Sequence, residues 1–290
     1  IQWFPGHMAK ATREVKEKLK LVDIVFELVD ARCPLSSHNM YLDEVVKDKK
    51  KIIIFNKIDL CDRKETAKWK NYFENKGYVV VYTDAKNSNN LNKVIDKAKE
   101  ELAEKIARQV AKGIKPRAIR SMVIGVPNVG KSTFINKLIK KNVANTANKP
   151  GVTKKQQWLK LNKDIELLDT PGILMPKFDN QKIGKKLSLI GSIKDDITPL
   201  DDVSLYLIEL LKNNYLENLN NHYKLNVKAE DENLTIMEKI AEKRFKKIGG
   251  DYDYDSTIKL LIQDFRTQKF GLITLDNYNE IVNNEESYED

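Results

Sequence analysis

The sequence predicts an α/β fold: a mostly parallel sheet with helices on both faces, followed by a small all-α region. Three observations carry this. The runs IVFELVDA (24–31), KIIIFN (51–56) and YVVVYT (78–83) have strand length, are rich in β-branched or aromatic residues, and are continuous rather than alternating, as in strands covered on both faces. Helical segments separate them near 40–46, 66–75 and 91–110, the alternation of a parallel sheet. Beyond about Asp195 strand patterning is gone and apolar residues recur at helical spacing.

In chain order, 8–21 reads as a helix with Val15 and Leu19 on one face. After the three strand–helix units, KGIKPRAIR (112–120) is a basic connector containing Pro116. SMVIG (121–125) is another buried strand, and 130–139 opens a helix. QQWLKL (156–161) and DIELLDT (164–170) read as a strand pair with a tight turn near Asn162 and Lys163. Helical spacing then marks Leu205, Ile208, Leu211 and Leu216; Ile236, Ile240 and Ile248; and Ile258, Leu261, Ile262 and Phe265, with Gly249, Gly250 and Gly271 as punctuation. The division read from this is 1–178 for the α/β domain with its N-terminal helix, 179–200 for a linker, 201–285 for a helical domain and 286–290 for an acidic tail.

The 290 residues are 41% hydrophobic and 32% charged, with no apolar run long enough to span a membrane. The start turns basic at once and has no apolar core of a secretion signal, so none is expected. Cys33 and Cys61 lie outside any metal or disulfide spacing, which fits a reducing cytoplasm. Net charge is +9, and the stretch from Lys131 to Asp164 holds eight further lysines and no acid before Asp164, which suits a polyanion partner.

GVPNVGKS (125–132) matches G-x-x-x-x-G-K-[ST] between a strand and a helix, the context that confirms a phosphate cradle. Backbone N–H groups around Asn128, Val129, Gly130 and Thr133 converge on phosphates at a helix N-terminus. Lys131 is expected to reach the β- and γ-phosphates and Ser132 to bind Mg²⁺. Downstream, DTPG (169–172) ends a strand: Asp169 is placed for Mg²⁺, and the Gly172 N–H for the γ-phosphate. Between them, Thr153 in KPGVT is expected to cap Mg²⁺ and sense the γ-phosphate, against the plain reading of a loop threonine.

The sequence Asn56-Lys57-Ile58-Asp59 follows a strand, well before the cradle. The Asp59 carboxylate offers two acceptors to the N1–H and N2 amine of guanine, a match adenine lacks. Asn56 binds the base edge or ties loops together, and the Lys57 stem packs on the ring. Thr83-Asp84-Ala85 follows the next strand and resembles the second base loop of GTPases, with the Ala85 N–H expected at guanine O6. The parts therefore occur in rotated order, which is allowed because loops at one sheet edge need only meet in space.

With WFPGHMAKA (3–11), DARCPLSSHN (30–39), PGVTKKQQW (150–158) and DTPGI (169–173), the chain closely resembles the circularly permuted GTPases of the YlqF/RbgA family over nearly its whole length. The resemblance implies a permuted Ras-like GTPase domain and a helical RNA-contacting domain. It implies GTP- and ribosome-dependent action in assembly of the bacterial large subunit, with a precursor particle, rRNA and ribosomal proteins as partners. A protein monomeric off the ribosome is expected. It also implies K⁺ bound by Asn128. Ile173 stands where Ras-like enzymes carry the glutamine that orients water, so chemistry is expected from His7, with Gly6 giving a tight turn beside it. The alternative for His7 is packing or RNA contact. His38 and His222, without motif support, are expected at the surface. Lys239, Lys243, Arg244, Lys246 and Lys247 are expected to line one side of a helix toward RNA, against the plain reading of a solvated face. Tyr223, Tyr252 and Tyr254 are expected to pack rather than stack on bases. The competing readings are a tRNA-modification or translation GTPase, and a passive RNA-binding protein with GTP as a structural ligand.

Overall fold

The computed structural model describes residues 6–143, 158–161, 163–176, 180–247 and 249–286 and, within these, every side chain except those of 7, 141–143 and 283–286. Helix α1 (Gly6–Lys18) buries Met8, Ala11 and Val15, the spacing of one helical face. Gly6, expected in a tight turn, instead opens this helix, and His7 is its second residue. Then follow β1 (Ile24–Asp30), the short α2 (Pro34–Ser37), α3 (Met40–Val46), β2 (Lys50–Asn56), α4 (Arg63–Asn75), β3 (Val79–Tyr82) and α5 (Leu91–Ala111). Side-chain caps start two of these: Asn39 accepts from the Leu42 N–H, and Asp62 from those of Lys64 and Glu65. The second half holds β4 (Ile119–Ile124), α6 (Lys131–Val143), β5 (Leu159–Lys160), β6 (Ile165–Asp169) and the helices α7 (Gln181–Leu189), α8 (Leu200–Asn214), α9 (Leu216–Tyr223), α10 (Asn233–Arg244), α11 (Tyr254–Arg266) and α12 (Tyr278–Glu286).

The sheet has the strand order β3-β2-β1-β4-β6-β5, parallel except for β5, which runs antiparallel to β6 at the edge. The chain starts in the middle at β1, winds outward to β3, returns through α5 and resumes at β4 in the other direction. β1 and β4 are thus neighbours whose following loops diverge. That is a topological switch point, the place where open α/β sheets bind ligands beyond the carboxyl ends of their strands.

Both sheet faces are covered, which is why the strands carry no polar alternation. On one face Phe134 and Leu138 of α6 and Val94 and Leu102 of α5 pack in a cluster that continues into Leu207, Ile240 and Leu261 of the later helices. On the other, Val15 and Leu42 pack with Ile173, and Trp69 and Phe73 pack with Phe55. Polar contacts also bind the later helices to the sheet layer. The Asp276 carboxylate accepts from the Lys186 ammonium at 2.8 Å and from Ser36 Oγ at 2.5 Å, and its carbonyl accepts from Trp69 Nε1 at 2.9 Å.

Candidate active site

The cradle lies between β4 and α6. Gly125 and Gly130 have φ of +150° and +99°, and a Cβ on either would stand 2.5 Å from Leu28 O or from Asn56 Nδ2 respectively, so both positions demand glycine. Lys131 is buried, and its ammonium donates to Gly125 O at 3.2 Å and Val126 O at 3.3 Å. Among the described residues no carboxylate forms an ion pair with it. Burial lowers its pKa to about 8, against the pull of Asp169. A buried ammonium hydrogen-bonded to neutral carbonyls, with Asp169 near but not paired to it, fits a site whose further counter-charge arrives with a phosphate. Ser132 and Thr133 are exposed at the first turn of α6, as that role requires.

Asn56, the last residue of β2, joins the separate loops. Its Nδ2 donates to Val129 O at 2.9 Å, and its Oδ1 accepts from Thr83 Oγ1 and from the Ala85 N–H, both at 3.1 Å. Asn56 therefore ties loops rather than offering a free amide to the base edge. The Ala85 N–H expected at guanine O6 is spent on Asn56. The Asp84 carboxylate accepts from the Asn87 N–H at 3.1 Å and Asn87 Nδ2 at 2.6 Å, closing its own turn. Ile58 and Val129 are buried beneath the cleft, so they face a ligand through backbone alone. Lys57, at φ +60°, donates to Asn128 O at 2.6 Å and to Asp30 Oδ2 at 2.9 Å. Burial would raise the Asp30 pKa, but Arg32, gripping both its oxygens, and Lys57 hold it well below the usual carboxylate range.

These loops border a cleft of 720 Å³, the right order for a nucleotide. Asp59 and Lys86 line it from the base loops and Asn128, Gly130 and Thr133 from the cradle; Gly191, Arg266 and Gln268 close it from the helical region. That last wall has no sequence signature, because Gly191 after α7 and Arg266 and Gln268 at the end of α11 match no nucleotide motif. The wall is hydrogen-bonded in place. Asn128 Nδ2 donates to Gly191 O, Ser192 Oγ to Pro127 O at 2.6 Å, and Gln268 Nε2 to Asp59 O at 3.3 Å. Arg266 secures it by donating to Ser188 O at 2.8 Å and Leu189 O at 3.1 Å.

Asp169 ends β6 beside this cradle. Burial raises its pKa while Lys131 pulls it back. Thr170 Oγ1 donates to Val123 O at 2.6 Å. A Cβ on Gly172 would stand 2.8 Å from Pro127 Cα, so only glycine lets the turn lie on the cradle. Ile173 is fully buried. Thr153 lies outside the described residues, and so does the His7 side chain. Ser132 and Asp169 sit at the ends of neighbouring elements that both border Lys131, an oxygen pair suited to Mg²⁺.

His38 corrects the expectation of a surface residue. It is buried between Glu27 and Asp43, with Nδ1 3.0 Å from Glu27 Oε1 and Nε2 2.9 Å from Asp43 Oδ2. Burial alone would depress its pKa, but the two carboxylates raise it to about 9. Lys51 also reaches both acids, so two cations already balance two anions. His222 is likewise tucked in, 2.7 Å from Asp264. The basic cluster differs from a single helical face: α10 ends at Arg244, and Lys246 and Lys247 lie beyond it. Lys243 and Lys246 are exposed, Lys239 pairs with Asp231 at 2.8 Å, and Arg244 lies over the Tyr223 ring. Tyr223 is buried and donates to Asp264 at 2.9 Å, a packing role.

The rotated chain order closes on a single cleft all the same, and that makes the protein a circularly permuted P-loop GTPase. Residues 19–179 match the RsgA GTPase family and residues 120–243 the family described as 50S ribosome-binding GTPase. The chain is 49% identical to ribosome biogenesis GTPase A of Bacillus pumilus, over 95% of this chain and 98% of that one. It is 30% identical to the Thermotoga maritima protein of that name, over 97% and 96%. A GDP-bound structure of TM YlqF superposes with a TM-score of 0.64 at 28% identity, covering 92% of this chain and 100% of that one. A GNP-bound YlqF from T. maritima gives 0.63 at the same identity. The chain belongs to the ribosome biogenesis GTPase A family, and its activity is hydrolysis of GTP.

Proposed function

We propose that this chain is a GTP-hydrolysing assembly factor for the large ribosomal subunit, acting in the cytoplasm on a precursor particle and monomeric when off it. The observation that carries the reading is the shared wall of the cleft. Gly191, Arg266 and Gln268 bring the nucleotide loops against the helical region, where Lys243 on α10 and Lys246 just after it are exposed. Nucleotide state then bears on an RNA-facing surface, with 179–200 as the linker between a GTPase domain (1–178) and an RNA-contacting domain (201–285). The names of the relatives support the ribosomal partner.

In this reading Asp59 pairs guanine and the cradle binds the phosphates. Ser132, Asp169 and Thr153 would hold Mg²⁺, which supplies charge neutralisation between the β- and γ-phosphates when bound. Asn128 already donates through Nδ2 to Gly191 O, so Oδ1 is the atom a K⁺ would take. Replacing K⁺ by Na⁺ in a turnover assay tests that ligand. Ile173 is buried and cannot orient water, so His7 is assigned that task. Unchanged particle-stimulated turnover in His7→Ala would remove it. The whole reading is tested by turnover measured alone, with mature large subunits and with precursor subunits. Slow intrinsic turnover accelerated most by the precursor is expected. Equal stimulation by mature ribosomes or tRNA points to a translation GTPase, and no stimulation by any particle contradicts the proposal.

A further inference from the structure

The segment DARCPLSSHN is only partly explained by the cleft. Asp30 and Arg32 support Lys57, but Asn39 faces a different structure. Its Nδ2 donates to the carbonyl of Ile173, directly after the D-x-x-G turn, at 2.8 Å. Asn39 is fully buried, and its own N–H donates to Glu27 Oε1 at 2.9 Å. Glu27 lies on β1, beside the cradle strand, and is held in turn by His38 Nδ1 at 3.0 Å and Lys51 Nζ at 2.8 Å. Ile173 is thus fixed on both sides of its residue: its N–H donates to Gly125 O of the cradle at 3.2 Å, and its carbonyl is taken by Asn39. Between these anchors and Asp169 sits Gly172, pressed on Pro127 with no room for a Cβ.

We propose that Asn39 is a positioning residue of the GTP site: it carries the rigidity of the central strand to Ile173, and so holds the Gly172 N–H where a γ-phosphate meets it. The inference rests on the reading of the cleft as a GTP site. Where Ras-like enzymes use the side chain after D-x-x-G to orient water, this chain uses that residue's backbone as an anchor. The contacts available to GDP, namely the base loops and the cradle from Asn128 to Thr133, are held by Asn56 and not through the Ile173 carbonyl. Losing the Asn39 anchor therefore affects the nucleotide with a γ-phosphate and spares the one without.

Two substitutions separate this from the second task of Asn39, capping α3 through an oxygen that accepts from the Leu42 N–H. Asn39→Ser keeps a capping oxygen but is too short to reach Ile173. Asn39→Asp keeps shape and cap but has no N–H to donate at neutral pH. Fluorescent GDP and a non-hydrolysable GTP analogue are titrated against the full chain. Both variants are expected to bind GDP within about twofold of the parent and the GTP analogue about fivefold more weakly, the equivalent of one neutral hydrogen bond of about 1 kcal/mol. Turnover is expected to fall as well, with kcat reduced more than the affinity for GDP. An unchanged ratio of GTP-analogue to GDP affinity in both variants overturns the proposal. So does an equal loss for the two nucleotides, which would make Asn39 a general support of the fold. Failure of the parent chain to bind either nucleotide is a different result and removes the reading of the cleft itself.

Discussion

The side-chain amide of Asn56 donates to the carbonyl of Val129 at 2.9 Å, fastening the base reader to a cradle that the chain makes much later. The same carboxamide accepts from Thr83 and Ala85, so one residue sets the distance between the base end and the phosphate end of the cleft. Asn56→Ala removes all three bonds. At about 1 kcal/mol each, affinity for GDP and GTP is expected to fall together by about 100-fold. Calorimetric titration checks it, and a loss confined to one nucleotide is not expected.

Lys131 gives the cleft a pH dependence. Burial has lowered its pKa to about 8, and a bound phosphate raises it again. GDP affinity is therefore expected to be flat below pH 8 and to weaken above it, approaching tenfold per unit while the lysine of the free protein loses its charge. Titrations between pH 7 and 9.5 read this directly, and Lys131→Ala abolishes both the affinity and the slope.

Much of this was legible in the sequence, for physical reasons that differ by element. Buried strands such as KIIIFN announce themselves by composition, and Gly125, Gly130 and Gly172 are forced by space that no side chain can share. What escaped was set by distant partners. α2 and α7 are short, and the tie from Asn128 to Gly191 joins segments with no local signature. The motif points the Ala85 N–H at guanine, yet its bonding is decided by Asn56, and Asp84 closes its own turn with Asn87. A lone histidine such as His38 says nothing of the acids brought to it from another strand and helix.

The His38 cluster has its own signature. The folded pKa of about 9 lies above the unfolded value near 6.5, so the charged imidazole stabilises the fold fully below about pH 6.5, and that stabilisation is lost as pH rises through 9. The loss is on the order of 3 kcal/mol. Lys131, whose folded pKa is lowered, contributes with the opposite sign above about pH 8. The His38 loss is therefore read as the difference in unfolding free energy between the parent and His38→Gln, which urea denaturation from pH 6 to 10 is expected to show shrinking as pH rises.

Asp276 joins the helical region to the sheet layer. It is fully buried and accepts from Lys186 and from Ser36. Asp276→Ala leaves the Lys186 ammonium buried without its partner. A loss of about 3–5 kcal/mol in unfolding free energy is expected, and chemical denaturation measures it.

The central claim is that loops delivered in rotated order surround one guanine nucleotide, with Asp59 reading the base. Calorimetry of Asp59→Asn against guanosine and xanthosine diphosphates tests it most directly. An amide offers a donor that suits the extra carbonyl of xanthine, so preference is expected to pass from the guanosine to the xanthosine nucleotide. Retention of the parent's guanosine preference in this variant would contradict the account.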